Sequence, residues 1–108
     1  MVEEQLYTDL EALVLKYLIG EQVQFEFKTS LAGGFSEWQG VEFIIPDGML
    51  AWKIIGEYYY KVKNGSDIIR KEILSGKGLA LINLYSDDLL NRLDETMRLA
   101  LEGREILR

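Results

Sequence analysis

Apolar residues recur at helical spacing through the first twenty positions of the chain. Because a helix turns once every 3.6 residues, this spacing predicts an amphipathic helix over residues 3–19. The acids near its start suit the positive end of the helix dipole, and Gly20 can end it. The apolar stripe and its flanks consist of Leu6, Leu10, Leu13, Tyr17, Val14 and Leu18.

The period then changes to two, which is typical of half-buried strands. Apolar side chains at 23, 25 and 27, followed by Thr29, alternate with polar ones and predict a first strand. After a loop over residues 30–40, the segment VEFII at 41–45 predicts a second strand. Pro46, Asp47 and Gly48 predict a turn in which the glycine takes a positive φ, so that a third strand folds back antiparallel.

Two registers fit this hairpin. One places Ile45 opposite Leu50, and the other, with a glycine bulge, pairs Ile45 with Met49. Packing favours the first, because it also sets Phe43 opposite Trp52. The same register places Glu42 opposite Lys53 on the other surface of the sheet.

The third strand is predicted to continue past the hairpin, to residue 63. Period two then points Tyr58 and Tyr60 inward and leaves Tyr59 outside with Lys61 and Lys63. Asn64-Gly65 is a hairpin signal, but the residues after it pair poorly with strand 3. A short helix over residues 67–74, capped by Ser66, is therefore favoured over a strand.

The last third of the chain predicts a strand and a helix. The segment LALINLY at 79–85 is apolar on both faces, as a central strand is, and Ser86 can cap a final helix that Gly103 ends. The predicted fold is a single α+β domain over residues 1–108. It has two layers, with the N-terminal and C-terminal helices on one face of a mostly antiparallel four-stranded sheet and a short helix between strands 3 and 4.

Composition excludes several kinds of chemistry but does not identify a function. The 108 residues contain no cysteine and no histidine, which removes thiol nucleophiles, disulfides and the commonest general base. We therefore expect neither an enzyme nor a metal or cofactor site. No apolar run approaches the ~20 residues that cross a bilayer, and we expect a cytoplasmic protein with no membrane partner.

Two sequence patterns that could indicate a phosphate-binding or acidic site are better explained without one. The segment SGKG at 75–78 lies between a helix and a strand, whereas a phosphate-binding loop needs the opposite order. The acid pairs Glu3-Glu4 and Asp87-Asp88 stand in predicted first turns of helices, where the helix dipole accounts for them.

The loop AGGFSEWQG is the best candidate for a binding site. It combines glycines with the large aromatics Phe35 and Trp38 and the acid Glu37, a combination that protein interfaces use. The alternative is that both aromatics fold back as a plug over the sheet.

A second candidate is a basic face on the middle of the chain. Lysines beside a tyrosine on a sheet are typical of nucleic-acid or small-ligand binding, although the net charge of −6 argues against nucleic acid. The residues concerned are Lys53, Tyr59, Lys61, Lys63, Arg70 and Lys71.

Size, charge and the missing catalytic residue types favour a protein that acts by binding another protein, as an inhibitor, immunity factor, chaperone or adaptor does. The acidic ends of the chain predict a basic partner surface. The alternative is a nucleic-acid- or small-ligand-binding domain that uses the basic face. A homodimer is a further possibility, because it would cover the outer sheet surface around Tyr59.

Overall fold

The computed structural model describes residues 6–38, 40–56 and 66–105, and for residues 66–69 it describes the backbone alone. Within these residues the chain forms four α-helices and a four-stranded sheet, which confirms the α+β class. In chain order the elements are α1 (Asp9–Gly20), β1 (Glu26–Phe27), β2 (Phe43–Ile45), β3 (Leu50–Ile55), α2 (Ser66–Gly76), β4 (Ala80–Tyr85), α3 (Ser86–Asn91) and α4 (Leu93–Leu101).

The sheet is mixed, so the prediction of a mostly antiparallel sheet is wrong. Its strand order is β1-β2-β3-β4, with β1/β2 and β2/β3 antiparallel and β3/β4 parallel over six residue pairs. The helix predicted between strands 3 and 4 is present as α2 and supplies the reason. A helical crossover returns the chain to the end of the sheet where β3 began, and β4 must then run parallel to β3.

The hairpin between β2 and β3 has the predicted register. Ile45 pairs with Leu50 and Phe43 with Trp52. The turn differs in one respect, because Met49, at φ 54°, takes the left-handed conformation expected of Gly48. A Cβ at Gly48 would lie 3.0 Å from Leu50 Cδ1. Glycine is therefore favoured at position 48 because a side chain would crowd Leu50, and not because of its φ.

Side chains on the two faces of the sheet belong to two separate apolar clusters. The first packs α1, α3 and α4 against one face, as predicted. The second packs α2 and the 35–41 segment against the other face, which adds a partial third layer to the predicted two. The first cluster contains Val14, Leu18, Phe43, Ile45, Leu50, Trp52, Ile82, Leu84, Leu89, Met97 and Ala100, and the second contains Phe35, Val41, Ile44, Ala51, Leu74 and Leu81.

The structure differs from the sequence prediction at several points. Helix α1 begins at Asp9 and leaves Leu6 exposed. The predicted final helix is two helices, α3 and α4, separated at Arg92, where φ is −153° and ψ is 57°. Among the described strands, β4 lies at the edge of the sheet, whereas the sequence predicts a central strand.

The continuation of strand 3 through Tyr58, Tyr59 and Tyr60 lies outside the described residues. Among the residues that are described, no helix has the length and apolar character needed to cross a bilayer.

Candidate functional site

The predicted aromatic binding loop packs largely against the sheet. Phe35 is buried, and Trp38 is half-buried against the same second cluster. Phe35 N donates to Val41 O at 2.8 Å, and Gly40 N donates to Phe35 O at 2.9 Å, so the loop closes on itself. Gly34 allows this closure, because a Cβ there would lie 2.7 Å from the Gly40 carbonyl oxygen. The structure thus brings Phe35 and Trp38 together as a plug, and Glu37 remains exposed.

Lys53, the first residue of the predicted basic face, is committed to a partner inside the protein. Its Nζ lies 2.9 Å from Glu42 Oε1 and donates to the carbonyl of Gly40 at 3.1 Å. Glu42 is fully buried, and its other oxygen accepts from Ile54 N at 2.7 Å. Burial raises the pKa of Glu42, and the opposing effect of Lys53 does not cancel this rise.

The remaining basic residues do not form a described site. Arg70 and Lys71 lie on α2, on the opposite side of the sheet from α1, α3 and α4. Tyr59, Lys61 and Lys63 lie outside the described residues, so their relation to Lys53 stays a prediction.

The two acids of the pair Asp87-Asp88 lie in different surroundings, and Glu3-Glu4 lies outside the described residues. Asp87 is exposed, whereas Asp88 is buried and accepts from Arg92 Nε at 2.9 Å. Within the described part of the chain, no group of three or more carboxylates is placed to hold a metal ion.

A buried carboxylate that the sequence did not single out joins two segments of the chain. Glu11 Oε1 accepts from Thr8 N at 2.9 Å and from Thr29 Oγ1 at 2.7 Å, and Oε2 accepts from Ser30 N at 2.8 Å. Burial alone would raise the pKa of Glu11, but the hydrogen bonds from Ser30, Thr8 and Thr29 together lower it. The Thr8-x-x-Glu11 spacing is a capping-box signature and could have revealed the first of these contacts.

Three large apolar side chains surround this junction at the surface. Leu6 is 69% exposed, Tyr7 is 41% exposed and Leu31 is 59% exposed. Tyr7 precedes Thr8 and Leu31 follows Ser30, so the Glu11 carboxylate holds their backbones close together. We call Leu6, Tyr7 and Leu31 the junction surface.

The sequence around Leu6 and Tyr7 is acidic. Residues 1–15 contain four acids, Glu3, Glu4, Asp9 and Glu11, and no base. Further along α1, burial raises the pKa of Tyr17, and the carboxylates of Glu21 and Asp94 add to this rise.

Comparison of this chain with protein-family models, with curated proteins and with solved structures finds no match.

Proposed function

We propose that this chain is a small non-enzymatic protein that acts by binding another protein, in the manner of an inhibitor, immunity factor, chaperone or adaptor. The junction surface is the observation that supports the proposal most directly. Its three exposed apolar side chains lie on two segments that Glu11 fixes in place. A binding surface that is held in shape before binding loses less conformational entropy when a partner docks.

The partner proposed for this surface is a protein with a basic face around an apolar patch. The junction surface supplies apolar contact area, and the exposed acid Asp9, two residues after Tyr7, supplies complementary charge. Such charge mainly raises the association rate, and salt weakens the effect.

We propose a secondary role for the aromatic loop. The exposed part of Trp38 and the carboxylate of Glu37 are offered as further contacts. Phe35 anchors the loop that carries these two residues, because its side chain is buried in the second cluster.

The alternative of a nucleic-acid or small-ligand surface stays a prediction. Lys53 supports this alternative less than the sequence suggested, because the ammonium group of Lys53 is paired with Glu42. Binding to short single-stranded DNA and RNA across a range of salt concentrations tests it, since phosphate contacts make such binding salt-sensitive.

Site-specific crosslinking tests the proposed function. A photoreactive amino acid is placed at position 31, and the full chain is then incubated in lysate of its source organism. The matched control carries the same group at position 90, because Leu90 is 66% exposed on α3 and lies outside the junction surface.

We expect one protein to crosslink from position 31 but not from position 90. The crosslink should weaken as salt increases and should disappear when Tyr7→Asp is added. Equal crosslinking from both positions, a crosslink that salt and Tyr7→Asp leave unchanged, or no crosslink at all would refute the proposal.

A further inference from the structure

Strand β1 is an edge of the sheet, and its outer side is unpaired in the part of the chain that the structure describes. Lys28 N donates to Glu42 O at 3.0 Å, toward β2. Amides alternate in direction along a strand, so those of Phe25, Phe27 and Thr29 point away from β2. Within the described chain, the outer amides and carbonyls of Phe25 and Phe27 have no hydrogen-bond partner. These groups are available to another strand.

Two side chains of opposite charge flank Phe27 on one face of this edge. Glu26 is in register with Ile44, so it lies on the face of the sheet that carries the second cluster, and Lys28 shares this face by alternation. Both side chains are exposed, and neither forms an ion pair with any described residue. Lys28 Nζ lies instead 5.1 Å from the centroid of the Phe35 ring.

The other face of the edge is aromatic. Phe25 and Phe27 are half-buried and pack against the first cluster. The Phe27 ring centroid lies 4.8 Å from that of Phe43, and the Phe25 centroid lies 6.3 Å from it. A strand added beside β1 would cover the parts of these two rings that still contact water.

We infer that two copies of this chain pair through their β1 strands, antiparallel about a twofold axis at Phe27, and join their sheets into one. Phe27 exchanges main-chain hydrogen bonds with the partner's Phe27, and Thr29 N donates to the carbonyl of the partner's Phe25. In this register Glu26 lies opposite the partner's Lys28, and Lys28 lies opposite the partner's Glu26. Each copy uses the same surface, as a twofold interface requires.

The charges of β1 identify a second copy as the occupant. Antiparallel pairing reverses the order of residues in the added strand, so a glutamate and a lysine two positions apart are complementary to their own copies. An axis at Glu26 would place two carboxylates opposite each other, and an axis at Lys28 would place two ammonium groups opposite each other. Charges on an edge strand usually prevent pairing, but these charges favour one register and one partner.

The interface is short, so we expect a weak and concentration-dependent dimer. The Thr29 carbonyl accepts from Ala32 N at 3.1 Å and from Gly34 N at 2.9 Å, which ends the pairing edge at this residue. Small interfaces of this kind are typical of transient association. Unfolding experiments on dilute protein therefore measure the monomer. The pairing uses none of the three side chains of the junction surface, so either site can exist without the other.

Exchange of the two charges tests the inference. Sedimentation velocity over a concentration series of the full chain measures the equilibrium between monomer and dimer. Glu26→Lys and Lys28→Glu should each weaken the dimer at least about tenfold, because each places like charges opposite each other on both sides of the axis. The variant that carries both changes should dimerise as the wild type does.

A mixture of the two single variants is the sharpest arm of the experiment. The lysines of one strand then face the glutamates of the other, so we expect a heterodimer of about wild-type affinity. Its formation also shows that both variants are folded. Glu95→Lys and Lys16→Glu are the matched controls, because they make the same charge changes at exposed positions of α4 and α1. Both should dimerise as the wild type does.

Three outcomes would overturn the inference. The first is a wild-type chain that stays monomeric up to millimolar concentration. The second is a dimer that both single variants leave unchanged, because its interface would then lie on another surface. The third is a mixture of the two single variants that forms no heterodimer.

Discussion

At the scale of single residues, the cross-strand pair of Glu42 and Lys53 is the most informative contact. Glu42 is buried, whereas the Lys53 side chain is 22% exposed. Burial raises the Glu42 pKa above its ordinary value of 4.5. The folded chain therefore binds this proton more readily than the unfolded chain, so the contribution of Glu42 to stability falls as pH rises from 4.5 through the raised pKa.

Lys53→Met should lower the free energy of unfolding by about 2 to 3 kcal/mol at neutral pH, because it leaves a buried carboxylate without its ion-pair partner. The loss should be smaller near pH 4.5, because Glu42 without Lys53 has its pKa raised further and takes up a proton more readily. Urea unfolding at both pH values measures the difference. Lys77→Met, at an exposed turn position, should change little at either pH. An equal loss for Lys53→Met at the two pH values would contradict this account of Glu42.

At the scale of elements, Glu11 connects α1 to the segment between β1 and β2. Its hydrogen bonds cap the helix through Thr8 and also reach Thr29 and Ser30, 18 and 19 residues away. Because these bonds lower the pKa of Glu11, the stability that it contributes is present above 4.5 and is lost as pH falls through the lowered pKa. This pH dependence is opposite in sign to that of Glu42.

Glu11→Ala should cost at least about 2 kcal/mol at neutral pH, because it removes one charged acceptor from three donors. Urea unfolding provides the measurement, and Glu26→Ala, at an exposed position of β1, is the control and should stay within about 0.5 kcal/mol of wild type. In Glu11→Gln, stability should fall less steeply with acid below pH 4.5 than in wild type. A wild-type acid slope that Glu11→Gln leaves unchanged would count against the role given to Glu11.

Elements with local signals were predictable from the sequence, and those set by distant contacts were not. Period and turn chemistry were enough for the register that pairs Phe43 with Trp52. The helix of the crossover, α2, was predicted from its local signal, but the parallel direction of β4 was missed because it also requires β4 to pair with β3, a contact between strands that are distant in sequence. The break at Arg92 was missed because residues 86–101 keep a helical period across it.

The candidate sites were also predictable only where the signal was local in sequence. The sequence left Phe35 open between surface and plug, and packing with the distant Leu74 of α2 places it in the second cluster. The capping box at Thr8 and Glu11 was visible in the spacing. The contact of Glu11 with Ser30 was not, because it joins residues from separate elements.

At the scale of the whole molecule, the fold sorts the charges of the chain by face. The layer of α1, α3 and α4 exposes six acids and four bases, while the α2 side has three bases and one acid among the residues with described side chains. The acids of the first layer are Asp9, Glu21, Asp87, Asp94, Glu95 and Glu102, its bases are Lys16, Arg92, Arg98 and Arg104, and the α2 side has Arg70, Lys71, Lys77 and Glu72. Six acids against four bases leave this layer with an excess of negative charge, which lowers stability somewhat and creates a field that attracts a basic partner.

Reversing one charge on each side of the molecule tests this field. Glu21→Lys, at the C-terminal cap of α1, should raise the free energy of unfolding by about 0.5 to 1 kcal/mol at low salt, because it removes an acid from an acidic layer and from the negative end of a helix. Glu72→Lys should give no gain, since Arg70 and Lys71 are its neighbours on α2. High salt should remove the difference between the two variants, as measured by urea unfolding at two salt concentrations. A gain for Glu21→Lys that persists at high salt would point to local packing and away from the charge of the layer. If this field steers the basic partner proposed for the junction surface, the more stable Glu21→Lys variant should also associate with that partner more slowly.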